Sequence, residues 1–453
     1  MLEDTIIAIS TPPGYGGLGI VRLSGPRALG IAKRVFKPRR GPIAVGKPVF
    51  GDLHGPGRGE EFDEAFLIFH KKPHSYTRED VVEISCHGSP VVLEEVVRLG
   101  VRAGARPADP GEFTLRAYIN GRLDIIQAEA VNDLIRAVSL TQARISFGQL
   151  GGSLSKRIGA VRAKLVHLLA GIEAAIEFPD EDLRVSRSVA ARKIDVLVRD
   201  IEALVAGYEA GRPLAEGITL AIAGKTNVGK STLFNALLGQ DRAIVTPYPG
   251  TTRDFLREKL IVRDSVFHLV DTAGLGRPRH PIEREGMRRS ERQARDADGV
   301  LLVLDGSRPP GREDRRLLEK FRSAVNIIVI NKIDLKRPSV GAEFTGLAGK
   351  VPVVEVSALK GTNIDVLKAR LHDTFTPSMR KQEDVVLHLR QKLLLEEMLA
   401  VLERSRALLR DGHPDEIVAE ELRGVLSPAG RLTGEIRTTE VIDDIFGRFC
   451  VGK

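Results

Sequence analysis

Gly224-Lys-Thr-Asn-Val-Gly-Lys-Ser231 carries the densest chemistry in the chain. An apolar run from Ile218 leads into it, and a helical pattern follows Ser231. That is the strand–loop–helix setting of a P-loop, in which Gly224 and Gly229 let backbone N–H groups turn toward phosphate oxygens. Lys230 would reach the β- and γ-phosphates, and the Ser231 hydroxyl would hold Mg²⁺. Three further groups sit at strand ends downstream. Asp271-Thr-Ala-Gly274 offers a carboxylate for a Mg²⁺-bound water and an N–H for the γ-phosphate. Asn331-Lys332-Ile-Asp334 ends a second apolar strand, Val325–Ile330. The Asp334 carboxylate can accept the N1–H and 2-amino hydrogens of guanine, a pair that adenine lacks. Ser357-Ala358, after Val353–Val356, would present an N–H to guanine O6. Between them lies Gly250-Thr-Thr-Arg-Asp254, where Thr252 is a candidate second Mg²⁺ hydroxyl in a switch segment. Together these groups point to a guanine-nucleotide hydrolase.

The elements that must position these groups form one block inside a longer chain. The 453 residues allow two to four domains. Residues 5–118 read as α+β, with strands at Thr5–Ser10, Gly19–Ser24, Glu64–Phe69 and Val81–Ser85 and a helix at Pro90–Ala103. Gly14-x-Gly16-x-x-Gly19 matches a dinucleotide fingerprint, but a strand pattern follows it. No acidic residue between Asp4 and Asp52 could take a ribose hydroxyl, so a Rossmann site is excluded. From Gly121 the period becomes helical, through Leu123, Ile126, Ala130, Leu134 and Val138. It continues in Leu154–Ile176, Val189–Tyr208, Val385–Leu409 and Asp415–Leu426. Gly211-Arg-Pro213 and Thr376-Pro377 are expected to break the chain on either side of the nucleotide block. The expected domains are therefore 1–118, 119–211, 212–377 and 378–453, with the nucleotide-binding domain inserted into a helical one.

Composition narrows the partners. A net charge of +8 suits a polyanion such as RNA. No apolar run is long enough to span a membrane, and the acidic start Met1-Leu-Glu-Asp4 resembles neither a signal nor a transit peptide. Two cysteines, Cys86 and Cys450, are too few for a zinc site and fit a reducing cytoplasm. Cys86 reads as a small buried hydrophobe. Cys450 is either a nucleophile or a structural residue, and a prenylation box is ruled out by Gly452 and Lys453.

The residue after Asp271-Thr-Ala-Gly274 is Leu275, where Ras-type switches have a water-orienting Gln. Asn227 in the loop, followed by the long segment Ala243–Thr251, resembles potassium-activated GTPases, in which K⁺ occupies the place of an arginine finger. The alternative is that Asn227 only fixes the loop. Glu283, beyond the basic stretch Arg277–His280, is a candidate for placing the water, or a solvated helix carboxylate.

Several motifs outside the nucleotide block carry a resemblance over essentially the whole chain. They are Thr11-Pro-Pro-Gly14 with Gly16-Gly17 and Gly19-Ile-Val-Arg22, Glu79-Asp-Val-Val-Glu83, Pro110-Gly-Glu-Phe-Thr114 and Asp124-Ile-Ile-Gln-Ala-Glu129. Phe178-Pro-Asp-Glu-Asp182, Gly250-Thr-Thr-Arg-Asp254 and Phe449-Cys-Val-Gly-Lys453 complete the set. The chain resembles the MnmE (TrmE) family of tRNA wobble-uridine modification GTPases.

The resemblance implies a multidomain α/β fold. An N-terminal α+β folate-binding-like domain makes a homodimer, and a central helical domain carries an inserted Ras-like P-loop G domain with a doubly wound, mostly parallel sheet. It implies a cytoplasmic, K⁺-activated GTP hydrolase working with an FAD-dependent partner of the MnmG (GidA) family. That complex adds an aminomethyl or carboxymethylaminomethyl group to C5 of the wobble uridine of certain tRNAs, from a 5-formyl or methylene tetrahydrofolate. GTP contacts would come from Asn227, Val228, Gly229, Lys230, Ser231 and Thr232, and from Thr246, Pro247, Tyr248, Pro249, Gly250, Thr251 and Thr252. Asp271, Thr272, Ala273, Gly274, Asn331, Lys332, Asp334, Ser357, Ala358 and Leu359 would supply the rest. Ser231 and Thr252 would hold Mg²⁺. K⁺ would take Asn227, Thr246, Tyr248 and Thr251. Glu283 aligns with the family's water-positioning glutamate, and Cys450 with its C-terminal cysteine. The folate site would include Arg22, Glu83, Arg122 and Lys453. Arg122 stands where the family often has Lys, and Gly276 where it usually has Arg. The alternative is a ribosome-assembly or regulatory GTPase switch without one-carbon chemistry, which would have no need of Arg22, Glu83 or the Cys-Val-Gly-Lys terminus. A folate-dependent aminomethyltransferase acting alone would leave the G domain unexplained.

Overall fold

The computed structural model describes residues 3–55, 57, 60–177, 186–239, 257–271, 292, 295–321, 325–335, 349–375, 388–436, 442 and 445–453. The chain divides into two compact units. One comprises Met1–Arg136, Ser146–Ile201 and Leu393–Lys453, and the other Ala137–Ile145 and Glu202–Lys392.

Alternating apolar and polar residues build the N-terminal sheet of the first unit. Its elements are β1 (Ile6–Ile9), β2 (Gly16–Ser24), α1 (Ala28–Ala32), β3 (Phe36–Pro38), β4 (Pro48–His54), β5 (Glu61–His70) and β6 (Val81–Gly88). Then come α2 (Pro90–Arg102), β7 (Arg106–Pro107) and α3 (Glu112–Ile119). The strand order is β3-β4-β5-β6-β2-β1-β7, antiparallel throughout except for the β1–β7 pair. All four expected strands form, and so does the helix at Pro90. Gly16 opens β2 rather than a helix. A Cβ on Gly19 would press 2.6 Å from the Leu93 side chain of α2, so this glycine serves strand–helix packing. The rejection of a dinucleotide site stands.

Successive strand residues face opposite sides. Val21 and Leu23 therefore enter one core with Val82, Ile84, Val96 and Leu99. Arg22 and Glu83, direct cross-strand partners, turn to the other face. On that side, Arg116 of α3 is completely buried in an ionic network with Asp4, Glu79 and Glu112, which Arg106 joins. Burial pushes the Glu112 carboxyl up, but hydrogen bonds from Arg106, the Asp109 N–H and Arg116 more than offset it and hold it below its ordinary value. A carboxyl lowered in the folded state stabilises fully above its unfolded pKa of about 4.3 and loses that contribution as pH falls through the lower folded value. Hydrogen exchange at the α3 amides should accordingly accelerate as pH drops below about 4, once intrinsic rates are divided out. Glu112→Gln should remove most of this acid dependence, and an unchanged profile would contradict the coupling.

The C-terminal segment folds back onto this unit. The Gly111 N–H donates to Cys450 O (3.4 Å), the Phe113 N–H to Lys453 O (3.1 Å), and Ser10 Oγ to Gly452 O (3.1 Å). Gly452 has φ +93°, and any Cβ there would collide with Ile9 O.

The helices follow as α4 (Ile125–Arg136), α5 (Leu140–Leu150), α6 (Ser153–Glu177) and α7 (Arg187–Glu216). Asp124 and Gln127 cap α4 reciprocally, with Gln127 N–H to Asp124 Oδ1 at 2.8 Å and Asp124 N–H to Gln127 Oε1 at 3.0 Å. The expected break at Gly211-Arg-Pro213 does not occur, because α7 runs on to Glu216. Gly217 ends it instead, at φ +85°, where a Cβ would meet His268. Pro213, which has no N–H to donate back along the helix, sits in the last turn, so only its final residues follow the lost bond.

The second unit holds β8 (Ile218–Ala223), α8 (Lys230–Leu238), β9 (Arg257–Val262), β10 (Ser265–Asp271), β11 (Gly299–Asp305), α9 (Arg312–Lys320), β12 (Val325–Asn331), β13 (Val353–Glu355) and α10 (Ile364–Phe375). The strands run β13-β12-β11-β8-β10-β9, parallel except for the edge strand β9. β11 is buried along its whole length, as a central parallel strand covered on both faces must be. Leu233, Leu237, Leu367 and Leu371 pack from α8 and α10 on one side. Leu317 of α9 and Phe321 pack from the other. The remaining helices are α11 (Leu389–Arg410), α12 (Asp415–Arg423) and α13 (Leu426–Thr433). The helix expected over Asp415–Leu426 forms as α12 but ends at Arg423, and Leu426 opens α13. α12 and α13 pack on α6, whose buried residues Leu154, Ile158, Val161, Leu165, Leu168 and Ile172 form a helical stripe. Thr376-Pro377 lies outside the described residues. Among the described residues no helix is long and apolar enough to cross a membrane.

Candidate nucleotide site and a cationic pocket

β8 lies between β10 and β11, so the chain leaves it first to one side and later to the other. A crevice forms at the carboxyl end of a strand where the order reverses in this way, and the P-loop occupies it. Gly224 has φ +155°, and a Cβ there would press 2.5 Å from Val303 O. Gly229 has φ +93°, and a Cβ there would collide with Asn331 Nδ2. Asn227 is itself left-handed at φ +65°. The loop can therefore take this path over β11 and β12 only with these glycines.

Asn331, almost fully buried, holds two loops together. Its Nδ2 donates to Val228 O (3.0 Å), and its Oδ1 accepts the Ala358 N–H (3.0 Å). Lys332 donates to Asn227 O (2.6 Å) and to Asp305 Oδ2 (2.8 Å). Burial raises the Asp305 carboxyl, yet hydrogen bonds from Lys332 and Ser307 bring it below its ordinary value. Ser357 Oγ donates to Asp334 Oδ1 (2.6 Å), and this bond holds Asp334 ionised below the usual carboxylate range. Lys230 is buried at the start of α8, and its Nζ donates to Lys225 O (2.7 Å). Ser231 and Thr232 follow on the exposed side of α8, and Leu359 is exposed beyond Ala358. The N–H groups at the start of α8 and the Lys230 ammonium suit a polyphosphate, and Asp334 offers acceptors for a base.

The structure thus brings together Asn227–Ser231, Asn331, Lys332, Asp334, Ser357 and Ala358. Thr246–Thr252, Thr272–Gly274 and Glu283 lie outside the described residues, as does Gly276; Asp271 ends β10. Three K⁺ ligands, one Mg²⁺ ligand and the water-placing glutamate of the sequence reading are among them. Sequence reasoning missed Asp305, although its place at the end of an apolar run is the same signal that marked Asp271.

In the first unit, Arg22 pairs with Glu83 (2.8 Å), with His70 Nε2 at 3.8 Å from the same carboxylate. The Arg22 guanidinium stands 5.6 Å from the ring centres of Tyr76 and Phe113. Arg122 lies 4.6 Å over the Tyr76 ring and donates to Tyr76 O (3.0 Å). Burial pushes the Tyr76 phenol up, and its oxygen bonds Thr114 Oγ1 at 2.9 Å. Lys453 is half-buried. Desolvation and Arg22 lower its pKa, while Glu83 and Cys450 act in the opposite sense. Of the four residues expected at a folate site, Arg22 and Arg122 face the Tyr76 ring, Glu83 pairs with Arg22, and Lys453 feels the charges of Arg22 and Glu83; Tyr76 itself, which carries no local signal, was missed by sequence reasoning. Cys450 is exposed on the same tail, and Cys86 is buried in β6 with its thiol pushed up to about 11 by desolvation. Cys86 is a core residue, as expected.

Two family models match this chain: the GTP-binding protein TrmE N-terminus over residues 5–122 and the MnmE helical domain over residues 125–450. The chain belongs to the MnmE family of tRNA modification GTPases. It is 43% identical to the tRNA modification GTPase MnmE of Koribacter versatilis, with all of both chains covered. It is 40% identical to that of Aquifex aeolicus and 40% identical to that of Carboxydothermus hydrogenoformans, again over all of both chains. As an MnmE chain it is a GTPase, and the loops at the carboxyl ends of β8, β12 and β13 are its candidate nucleotide site.

Proposed function

We propose that this MnmE chain hydrolyses GTP to drive modification of the wobble uridine of tRNA, as a homodimer working with an FAD-dependent MnmG-type partner. The observation that carries the reading is a cluster in which Arg22 and Arg122 lie against Tyr76, Glu83 pairs with Arg22 and Lys453 is coupled to both Arg22 and Glu83, in a chain that also holds an assembled guanine-type loop set. A plain regulatory switch has no use for that pocket. Its chemistry fits a tetrahydrofolate. The cations suit the glutamate carboxylates, Glu83 can accept from the pterin amino and N–H groups, and the Tyr76 ring can face a planar ligand. The folate, when bound, supplies the one-carbon unit. Arg22 is held in place by Glu83 and aims its charge into the pocket, while Arg122 fixes the backbone beside Tyr76. Arg22→Ala should weaken binding of 5-formyltetrahydrofolate, measured by calorimetry, by about tenfold or more, since it leaves Glu83 without its cation. GTP turnover should stay unchanged, and equal folate affinity would refute the pocket.

At the nucleotide site, Ser231 and Thr252 hold Mg²⁺, and Asn227 with Thr246, Tyr248 and Thr251 holds K⁺. Glu283 places the attacking water. Turnover should therefore be much faster in KCl than in NaCl at equal ionic strength, and Glu283→Ala should abolish the difference by lowering the KCl rate about 10²-fold or more. Equal wild-type rates in both salts would leave Asn227 as a loop-fixing residue and favour activation by another protein.

A further inference from the structure

The antiparallel stretches of α6 and α7 enclose a groove of about 270 Å³ that belongs to neither site above. Lys164 and His167 line it from α6, and Val189, Arg192, Lys193 and Val196 from α7. The α7 residues stand at i, i+3, i+4 and i+7, which puts them on one helix face. Val189 and the exposed Val196 are its apolar lining, and the other four side chains all carry nitrogen. No carboxylate lines the groove.

The nearby acids are already taken. Lys164 pairs with Asp200 at 2.6 Å, and Asp195 pairs with Arg406 at 3.2 Å. Among the described residues, Arg192 and Lys193 have no acidic partner, and neither do Lys156 and Arg157 two to three turns earlier on α6. Unpaired cations at helical spacing beside an apolar lining suit a polyanion that carries sugars or bases along with its charges. An acidic protein segment fits less well, because the apolar lining is two valines, with no aromatic or leucine pocket to seat an anchor residue. The chain's net charge of +8 acts in the same direction.

We infer that the α6–α7 groove holds the phosphodiester backbone of the RNA substrate, with Arg192 and Lys193 as its charged phosphate contacts and His167 as an N–H donor. The inference rests on the reading of this chain as acting on tRNA. It adds the surface that grips the RNA, in a helical region distinct from the residues assigned to GTP and folate. Phosphate contacts fix position without reading sequence, so the groove is expected to bind different tRNAs alike.

The test uses the full-length protein and an unmodified tRNA transcript, with Kd measured between 50 and 200 mM KCl. Arg192→Ala/Lys193→Ala should weaken binding about tenfold and reduce the slope of log Kd against log salt by about 1.5, the share of two phosphate contacts. Arg192→Lys/Lys193→Arg should restore both, and GTP turnover should match wild type in every variant. If wild type binds tRNA and the double variant keeps the same Kd and slope, the groove assignment falls and the tRNA reading stands. If wild type itself shows no tRNA binding, both fall. If the double variant keeps tRNA affinity but loses binding to a polyglutamate peptide, the groove is an acidic-protein site and the assignment is overturned.

Discussion

Lys230→Ala should lower kcat for GTP hydrolysis by about 10²–10³-fold, the effect expected when a preorganised charge at the transferring phosphoryl group is removed. The ammonium is buried at the first residue of α8 and reaches back to Lys225 O, so it is already aimed along the loop that curls around phosphates. When a nucleotide binds, that bond exchanges for one to the β- and γ-phosphates. The charge then matters most as negative charge redistributes in the transition state, so kcat should fall more than nucleotide affinity. The variant should fold, because Lys230 contributes neither to the Asn331 bonds nor to the apolar face of α8. Phosphate release in KCl with saturating GTP measures the effect, and folate affinity of the same preparation shows that the first unit is intact. Wild-type turnover would remove the P-loop assignment.

Much of this site was legible in the sequence because P-loop chemistry is local. Gly224, Gly229, Lys230 and Ser231 belong to one loop, and their spacing alone sets φ above zero and the helix start. Asn331 and Asp334 were legible for the same reason, at the end of an apolar run. What the sequence did not reveal is long-range. Asn331 was expected to touch the nucleotide; in the fold its amide also joins Val228 to Ala358, residues far apart in the chain. Tyr76 has no motif around it and matters only because Arg22 from β2, Arg122 from the turn after α3 and the cluster containing Phe113 of α3 close on it. Arg116, charged and completely buried, could not be placed inside by pattern at all, since its partners come from the segment before β1, from α3 and from the turn before β6.

The fold was read best where elements are long and periodic. β8 and β12 are continuous apolar runs, and α6 has a clear stripe; β11, equally apolar, was not singled out. Short pieces such as β3, β7 and α1 carry too few residues for a period to show. The misplaced break in α7 has a specific cause. Gly211 and Pro213 are stop signals by type, but in the fold Pro213 lies within one turn of the end of α7, and the residue with a positive φ that closes the helix is Gly217.

Asp334→Asn should exchange guanine for xanthine recognition. The carboxylate accepts from N1–H and the 2-amino group of guanine; an amide in its place accepts from N1–H and donates to the 2-oxo group of xanthine. A site built to pair such an edge rejects the mismatched base by up to about 10⁴-fold, because a buried polar group is left without a partner. Ser357 orients this group through a 2.6 Å bond to Oδ1, and Lys360 N–H donates to the same Ser357 Oγ at 3.2 Å. An amide oxygen can still accept from Ser357, so the turn should survive and the loss of GTP should be specific to the base. The Ser357 bond also keeps Asp334 ionised below the ordinary carboxylate range, so GTP preference in the native chain should hold steady from pH 8 down to about 5. Competition between GTP and xanthosine triphosphate, read as the ratio of their kcat/KM values, measures the exchange. The native ratio should favour GTP and the variant ratio xanthosine triphosphate. If the variant kept its preference for GTP, base selection would have to come from the Leu359 backbone N–H, since the Ala358 N–H is held by Asn331 Oδ1, and Asp334 would be only the acceptor that holds Ser357 in its turn.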